Sequence, residues 1–211
     1  MRVTAETKSA TRQRILGAAQ KLFAEQGFAA ATTRDIARAA EIAAGTLFNY
    51  FPTKESITLC LVSEAQAQAV VQFHARLSRE SSEPLSLEEE IFAFVAAALR
   101  KLKPYRKYLT TVLDTSLSPL ANDQADDTPS LRAGHLETVS QIVSRHGQAE
   151  ALSTVGLHLY WTLYTGVLAF WSSDTSPRQE DTLALLDQSL AMFVGWLTTH
   201  ANSTQPQEMG G

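Results

Sequence analysis

At 211 residues, 45% hydrophobic and 19% charged, the chain is too apolar to stay disordered and is long enough for one large domain or a small module beside a larger one. Sparse Gly and Pro amid frequent Ala and Leu favour helix over strand, so the expected class is all-α, with about nine helices. The net charge of −4 argues against a nucleic-acid binder only when taken whole: residues 1–54 carry eight Lys and Arg against four acids, and the remainder ten against eighteen.

Phosphate attraction is screened beyond a Debye length of roughly 8–10 Å, so a basic head can bind DNA despite an acidic body. Cys60 is the only cysteine, which excludes an intrachain disulfide and fits a small buried residue on a helix. The N-terminus lacks the charged-then-apolar pattern of a signal peptide, and the expected location is the cytoplasm.

Residues 1–10 are polar and unpatterned, an expected flexible arm. From Thr11 to Gln26 the residues Ile15, Ala19, Leu22 and Phe23 recur at helical steps, and Gly27 supplies a C-cap. Thr32 with Asp35 forms a Thr-x-x-Asp start for a helix from Thr33 to about Ala40. After a turn at residues 41–43 a two-turn helix carries Gly45 to Phe51, stopped by Pro52, and Thr53 caps the next helix at Lys54. Two short helices joined by a tight turn are a helix-turn-helix, and the pattern points to DNA.

A long helix from Lys54 to about Arg79 follows, ending in a polar break up to Pro84. Ser86 and Glu89 make a capping box for a helix to about Lys103, and Pro104 opens one to about Leu117. Residues 118–127 read as a solvated loop despite Asp123, Asp126 and Asp127, because no turn glycine or fourth ligand accompanies those acids; no metal site is expected. Thr128-Pro129 opens a helix that Gly147 ends.

Residues 151–173 contain no Asp, Glu, Lys or Arg, yet acids at Glu150 and Asp174 flank them. They are expected to form a helix buried by protein, with no membrane span. Ser176-Pro177 opens the last helix, to about His200, and residues 201–211 look disordered. The seam Leu183, Leu186, Leu190, Phe193 and Leu197, with Val167 and Phe170 on the preceding helix, is expected to pair with a second copy in a four-helix bundle. An internal core pair is the other reading of the same pattern.

The stretch Thr32–Lys54 resembles the tetracycline-repressor (TetR-like) family of bacterial regulators. The resemblance covers residues 11–58 through I-L-x-A-A-x-x-L-F-A-E-x-G-F, T-T-R-D-I-A and G-T-L-F-N-Y-F-P-T-K-E, all at matching spacings. It implies a DNA-binding head over residues 11–57 and a helical ligand-binding and dimerisation body over residues 58–200. It also implies that Thr32 or Thr33, Tyr50 and Lys54 hold phosphates and that Arg34 reaches a guanine edge. Gly45 permits close approach to a major groove about 12 Å wide, Leu47 and Phe51 anchor the helix from behind, and Thr46, Asn49 and Tyr50 are left to face DNA.

Departures from the family pattern lie at the turn. Glu41 stands where Gly is frequent, Ala43 where Ser usually caps, Ala44 where a basic residue is frequent, and Phe48 where Tyr is common. A left-handed Glu41 would cost about 1 kcal/mol, and the missing cap at Ala43 a similar amount. Base reading then rests on few groups, including apolar contact of Ala43 or Ala44 with thymine methyls.

The expected function is a homodimeric repressor on a palindromic operator, released when a small apolar effector shifts the spacing of the heads. Phe92, Tyr105, Tyr108, His158, Trp161 and Tyr164 are the candidate pocket residues. A ligand-independent DNA-organising or division protein would use the same head. No catalytic motif or cofactor signature is present: the five histidines lack metal-ligand spacing, and there is neither a Gly-x-Ser-x-Gly elbow nor a Gly-rich phosphate loop.

Overall fold

The computed structural model describes residues 4–77, 84–109 and 131–204. Outside them lie the residues at the extreme N-terminus, the expected break after Arg79, the run to Leu117, the 118–127 loop with its three aspartates, the Thr128-Pro129 start and the tail beyond 204. Among the described residues every regular element is helical: eight α-helices and three short 3₁₀ turns. The chain divides into two compact units, Met1–Glu64 and Ala65–Gly211.

The first unit holds α1 (Ala5–Gln26), α2 (Thr33–Ala39), α3 (Ala44–Phe48) and the start of α4 (Lys54–Leu77). Helix α1 begins six residues before the expected Thr11, so residues 5–10 are helical rather than a loose arm. The cause is local. Thr4 accepts the Thr7 amide at 3.2 Å, and a capped but solvent-exposed first turn carries no apolar pattern to announce it. Ile15, Leu16, Ala19 and Phe23 form the buried stripe, and Gly27 ends the helix at φ 84° with its N–H on the Phe23 carbonyl.

The second unit continues α4 and adds α5 (Leu87–Leu102), α6 (Leu131–Arg145), α7 (Thr154–Ser173) and α8 (Glu180–Thr204). Ser86 and Glu89 close the expected capping box of α5. Gly147 ends α6 at φ 72°, its amide on Ser144 and the following Gln148 amide on Val143. Residues 149–151 form a separate 3₁₀ turn, so α7 starts at Thr154, capped by Ser153. Pro177–Gln179 is likewise a 3₁₀ turn before α8.

Asp174 links α7 to α8 by accepting from the Thr182 hydroxyl and amide and from the Ser176 amide, and these donors lower its carboxyl pKa to about 2. At the other end of this helix pair a Cβ on Gly156 would come 2.7 Å from the Trp196 ring, so a larger residue there would force that ring to move.

At the centre of the unit, His135 is enclosed by Phe94, Tyr160, Trp161 and Tyr164. Its Nε2 meets the Tyr160 hydroxyl at 2.9 Å, and Gln66 Nε2 donates to the Tyr164 hydroxyl at 3.1 Å. Burial drives the imidazole pKa down to about 3 and the pKa of both tyrosines up, so all three stay neutral. Leu186, Leu190, Phe193 and Leu197 of α8 and Val167 of α7 are buried as well. Among the described residues no helix is long and apolar enough to cross a membrane.

Candidate nucleic-acid interface

Two hydrogen-bonded frames set the geometry of α2 and α3. At the start of α2 the Thr32 hydroxyl accepts the Asp35 amide while the Asp35 carboxylate accepts the Thr32 amide, a complete capping box. The Thr32 donors hold the Asp35 carboxyl below its usual range, with Arg38 adding an ion pair at 3.2 Å. At its end the Glu41 amide bonds the Arg38 carbonyl at 3.1 Å and the Ile42 amide bonds Ala37 at 3.0 Å, the Schellman arrangement. That arrangement needs a left-handed residue at its first non-helical position. Glu41 takes it with φ 54°, the strained backbone that its sequence position predicts.

The turn delivers the chain to Ala43, the N-cap of α3, where no side chain caps the helix. Helix α3 is one turn shorter than expected. It closes at Phe48, with Asn49 as C-cap, and the Tyr50 and Phe51 amides both return to the Leu47 carbonyl. Phe51 precedes Pro52, which disfavours helical backbone. Leu47 and Phe51 are buried, and the Arg12 guanidinium of α1 lies 5.0 Å from the Phe51 ring centroid while donating to Cys60 Sγ at 3.0 Å. Burial pushes the Cys60 thiol pKa up, against the pull of Arg12.

The outward side chains follow from this frame. Thr32, Arg34, Ala43, Gly45, Phe48 and Asn49 are exposed, and Thr33, Ala44, Thr46 and Tyr50 are half-buried. One expected phosphate ligand points elsewhere. The Lys54 ammonium donates to the Phe28 carbonyl at 2.6 Å and to Ala31 at 3.1 Å, and stands 4.1 Å from the Phe28 ring centroid. It clamps the α1–α2 loop just ahead of the Thr32 cap, a tertiary role that spacing does not reveal.

In the second unit two of the six expected pocket residues, Trp161 and Tyr164, meet in the His135 cluster with their rings 5.5 Å apart, and the others are placed as follows. Tyr105 and Tyr108 are buried edge-to-face, Trp161 is buried in the His135 cluster, Phe92 is half-buried, and His158 is exposed with Arg132 at 3.3 Å. Tyr164 alone of the six borders an apolar cavity between α5, α7 and α8, whose walls include Val95, Tyr160, Val167, Leu190 and Phe193 and whose room is that of about one water molecule.

The expected dimer seam also separates. Leu186, Leu190, Phe193, Leu197 and Val167 are enclosed by the chain's own helices, which removes them from any surface that another copy could touch, whereas Phe170 and Leu183 are exposed. Leu185 and Met192, not counted in that seam, are exposed too, Met192 by 68%.

Residues 15–59 match the family described as bacterial regulatory proteins, tetR family, and residues 90–204 match the tetracyclin repressor-like C-terminal domain. The HTH-type transcriptional regulator UidR of Escherichia coli (strain K12) is 36% identical over 63 residues, 30% of this chain and 32% of the relative. The HTH-type transcriptional repressor KstR2 of Rhodococcus jostii (strain RHA1) is 50% identical over 50 residues, 24% of each chain. The matched segments thus span a third or less of these curated relatives.

Among solved structures, Thermus thermophilus FadR, a TetR-family transcriptional repressor in complex with lauroyl-CoA, superimposes with TM-score 0.61 at 20% identity, covering 95% of this chain and 100% of that one. A TetR transcriptional regulator from Rhodococcus sp. RHA1 gives TM-score 0.59 at 20% identity over 90% and 98%. At these identities the likeness concerns the fold. The head and the body each match their counterpart in one family, and this chain belongs to the tetR family of bacterial regulatory proteins.

Proposed function

We propose that this chain is a homodimeric transcription regulator of the cytoplasm, a repressor that binds a palindromic operator and is released by a small apolar effector, and that it is not an enzyme. The observation that carries the reading is the α2–α3 pair. Both ends of α2 are fixed by hydrogen-bonded frames, and on the α2–α3 pair Arg34 and Asn49 are exposed and Thr46 half-buried. Thr32, Thr33 and Tyr50 would hold phosphates, and Ala43 and Ala44 lie where short side chains let α3 enter a groove.

Dimerisation rests on an apolar stripe at the edge of the subunit core: Leu159, Leu163 and Phe170 on α7 and Leu185, Met192 and Trp196 on α8 recur at four- and seven-residue steps on one side of each helix, with Phe170, Leu185 and Met192 exposed and the other three half-buried. A second copy placing the same stripe against it would give a four-helix bundle, and the two half-sites of the operator would lie about 34–36 Å apart or further. An effector would act from the second unit by favouring a shape with wrongly spaced heads.

The reading is tested by binding of the full chain to duplexes selected from a random pool, with Arg34→Ala and Asn49→Ala alongside. Each variant should lose about tenfold or more in affinity and relax preference at one position. Sequence-indifferent binding by a folded protein would reject it.

A further inference from the structure

The outward face of α3 carries no charge and one large apolar side chain. The helix reads Ala44-Gly45-Thr46-Leu47-Phe48, with Leu47 buried at 0% and Phe48 exposed by 49%. At helical spacing Ala44 lies beneath Phe48 and Gly45 beneath Asn49, so one strip presents a methyl and a phenyl ring, and the adjoining strip a bare backbone and a carboxamide. A Cβ on Gly45 would meet nothing within 4 Å, so the strip is open for close approach. Among the described residues of the first unit Phe48 is the one exposed large apolar side chain. Leaving such a ring in water forgoes burial free energy that a partner surface would restore.

The neighbouring charges say what that partner is. Arg34 and Arg38 are exposed on α2, Arg38 paired with Asp35, within a head that carries eight Lys and Arg against four acids and so favours a polyphosphate partner. In a major groove the only apolar group on a base edge is the thymine C5-methyl, and the base that a carboxamide engages with two hydrogen bonds is adenine, at N6 and N7. Both strips of α3 therefore select the same base pair.

We propose that α3 is an A·T reader, in which Phe48 and Ala44 pack on thymine methyls and Asn49 takes an adjacent adenine, while guanine recognition falls to Arg34 on α2. This rests on the regulator reading above, and it assigns the specificity of each half-site to a contact that the tyrosine usual at position 48 would weaken by adding a hydroxyl that must stay hydrated.

The test alters the DNA and leaves the protein intact. Duplexes selected by the full chain are resynthesised with deoxyuridine in place of thymidine, which removes the methyl and keeps every hydrogen-bonding group. Each buried methyl should be worth about fourfold in affinity, and a symmetric pair of half-sites about fifteenfold. Phe48→Ala, a change at an exposed position, should discriminate between the thymine and uracil duplexes less than the wild type does, and discrimination equal to the wild type's would remove Phe48 from the assignment. Selected half-sites without A·T pairs under α3, or uracil duplexes bound as tightly as thymine ones by the wild type, would overturn the assignment while leaving the regulator reading standing. Recovery of no duplex at all would overturn both.

Discussion

Replacing Glu41 by glycine should tighten the head, by an amount that follows from its backbone. Among the described residues the C-termini of α2 and α6 share the same Schellman pattern. At the end of α6 the left-handed position is Gly147, at φ 72°; at the end of α2 it is Glu41, at φ 54°. A side chain in that region costs about 1–2 kcal/mol, and glycine returns about 0.5–1 kcal/mol of that through the greater freedom of the unfolded chain, leaving a net gain of about 0.5–1 kcal/mol for Glu41→Gly.

Tryptophan fluorescence would miss the change, because Trp161, Trp171 and Trp196 all lie in the second unit. Amide exchange read by mass spectrometry on head peptides of the full chain sees it directly, since opening of the turn frees the Ile42 amide. The gain corresponds to roughly two- to fivefold slower exchange of that segment. Glu41→Ala removes the charge and keeps the strained backbone, so it should give no such protection. Equal protection by the alanine variant, or none by glycine, would refute the backbone argument.

Other outcomes follow from the same geometry. Ala43→Ser should cap α3 and slow exchange across residues 44–49 by an amount equivalent to about 1 kcal/mol. Lys54→Met removes both bonds to the loop carbonyls and should speed exchange of residues 28–32; the slope of log affinity against log salt should hold, whereas a phosphate-bound ammonium would lower it by about 0.9.

The unfolded chain takes up a proton at His135 near pH 6.5 that the folded second unit refuses until about 3. Its contribution is therefore complete above about pH 6.5 and is lost as pH falls, by about 2 kcal/mol at pH 5. Urea titrations followed by tryptophan fluorescence should show this loss shrink in His135→Gln. Met192→Glu places a charge on the exposed α8 stripe and should turn a dimer into a monomer in sedimentation velocity without unfolding it.

What the sequence discloses here is mostly local. Thr32 with Asp35, Ser86 with Glu89, Gly27, Gly147 and the anomalous Glu41 each fix a helix end within a few residues, and each is found at such an end. Features that depend on distant neighbours are not legible in the same way. The Lys54 ammonium meets carbonyls 23 and 26 residues away, so its pairing leaves no trace in spacing.

The apolar positions of α8 show a wide hydrophobic face, but its inward seam from Leu186 to Leu197 and its outward stripe through Met192 run down one helix, and periodicity alone does not say which faces a second copy. His135 stands alone in the sequence with no partner at a telling interval, and its place among Phe94, Tyr160 and Tyr164 exists only after the helices pack. In the sequence Phe48 is only a phenylalanine where tyrosine is common; its exposure in the folded head makes it a candidate reader.

The central claim is that the α2–α3 face reads DNA, and fluorescence anisotropy of the full chain on a selected palindromic duplex tests it most directly. Log affinity should fall linearly with log salt, and Arg34→Ala and Asn49→Ala should each cost about 1–3 kcal/mol on that duplex and less on unrelated sequence. Unchanged affinity of both variants for the selected duplex, with the protein folded, would contradict it.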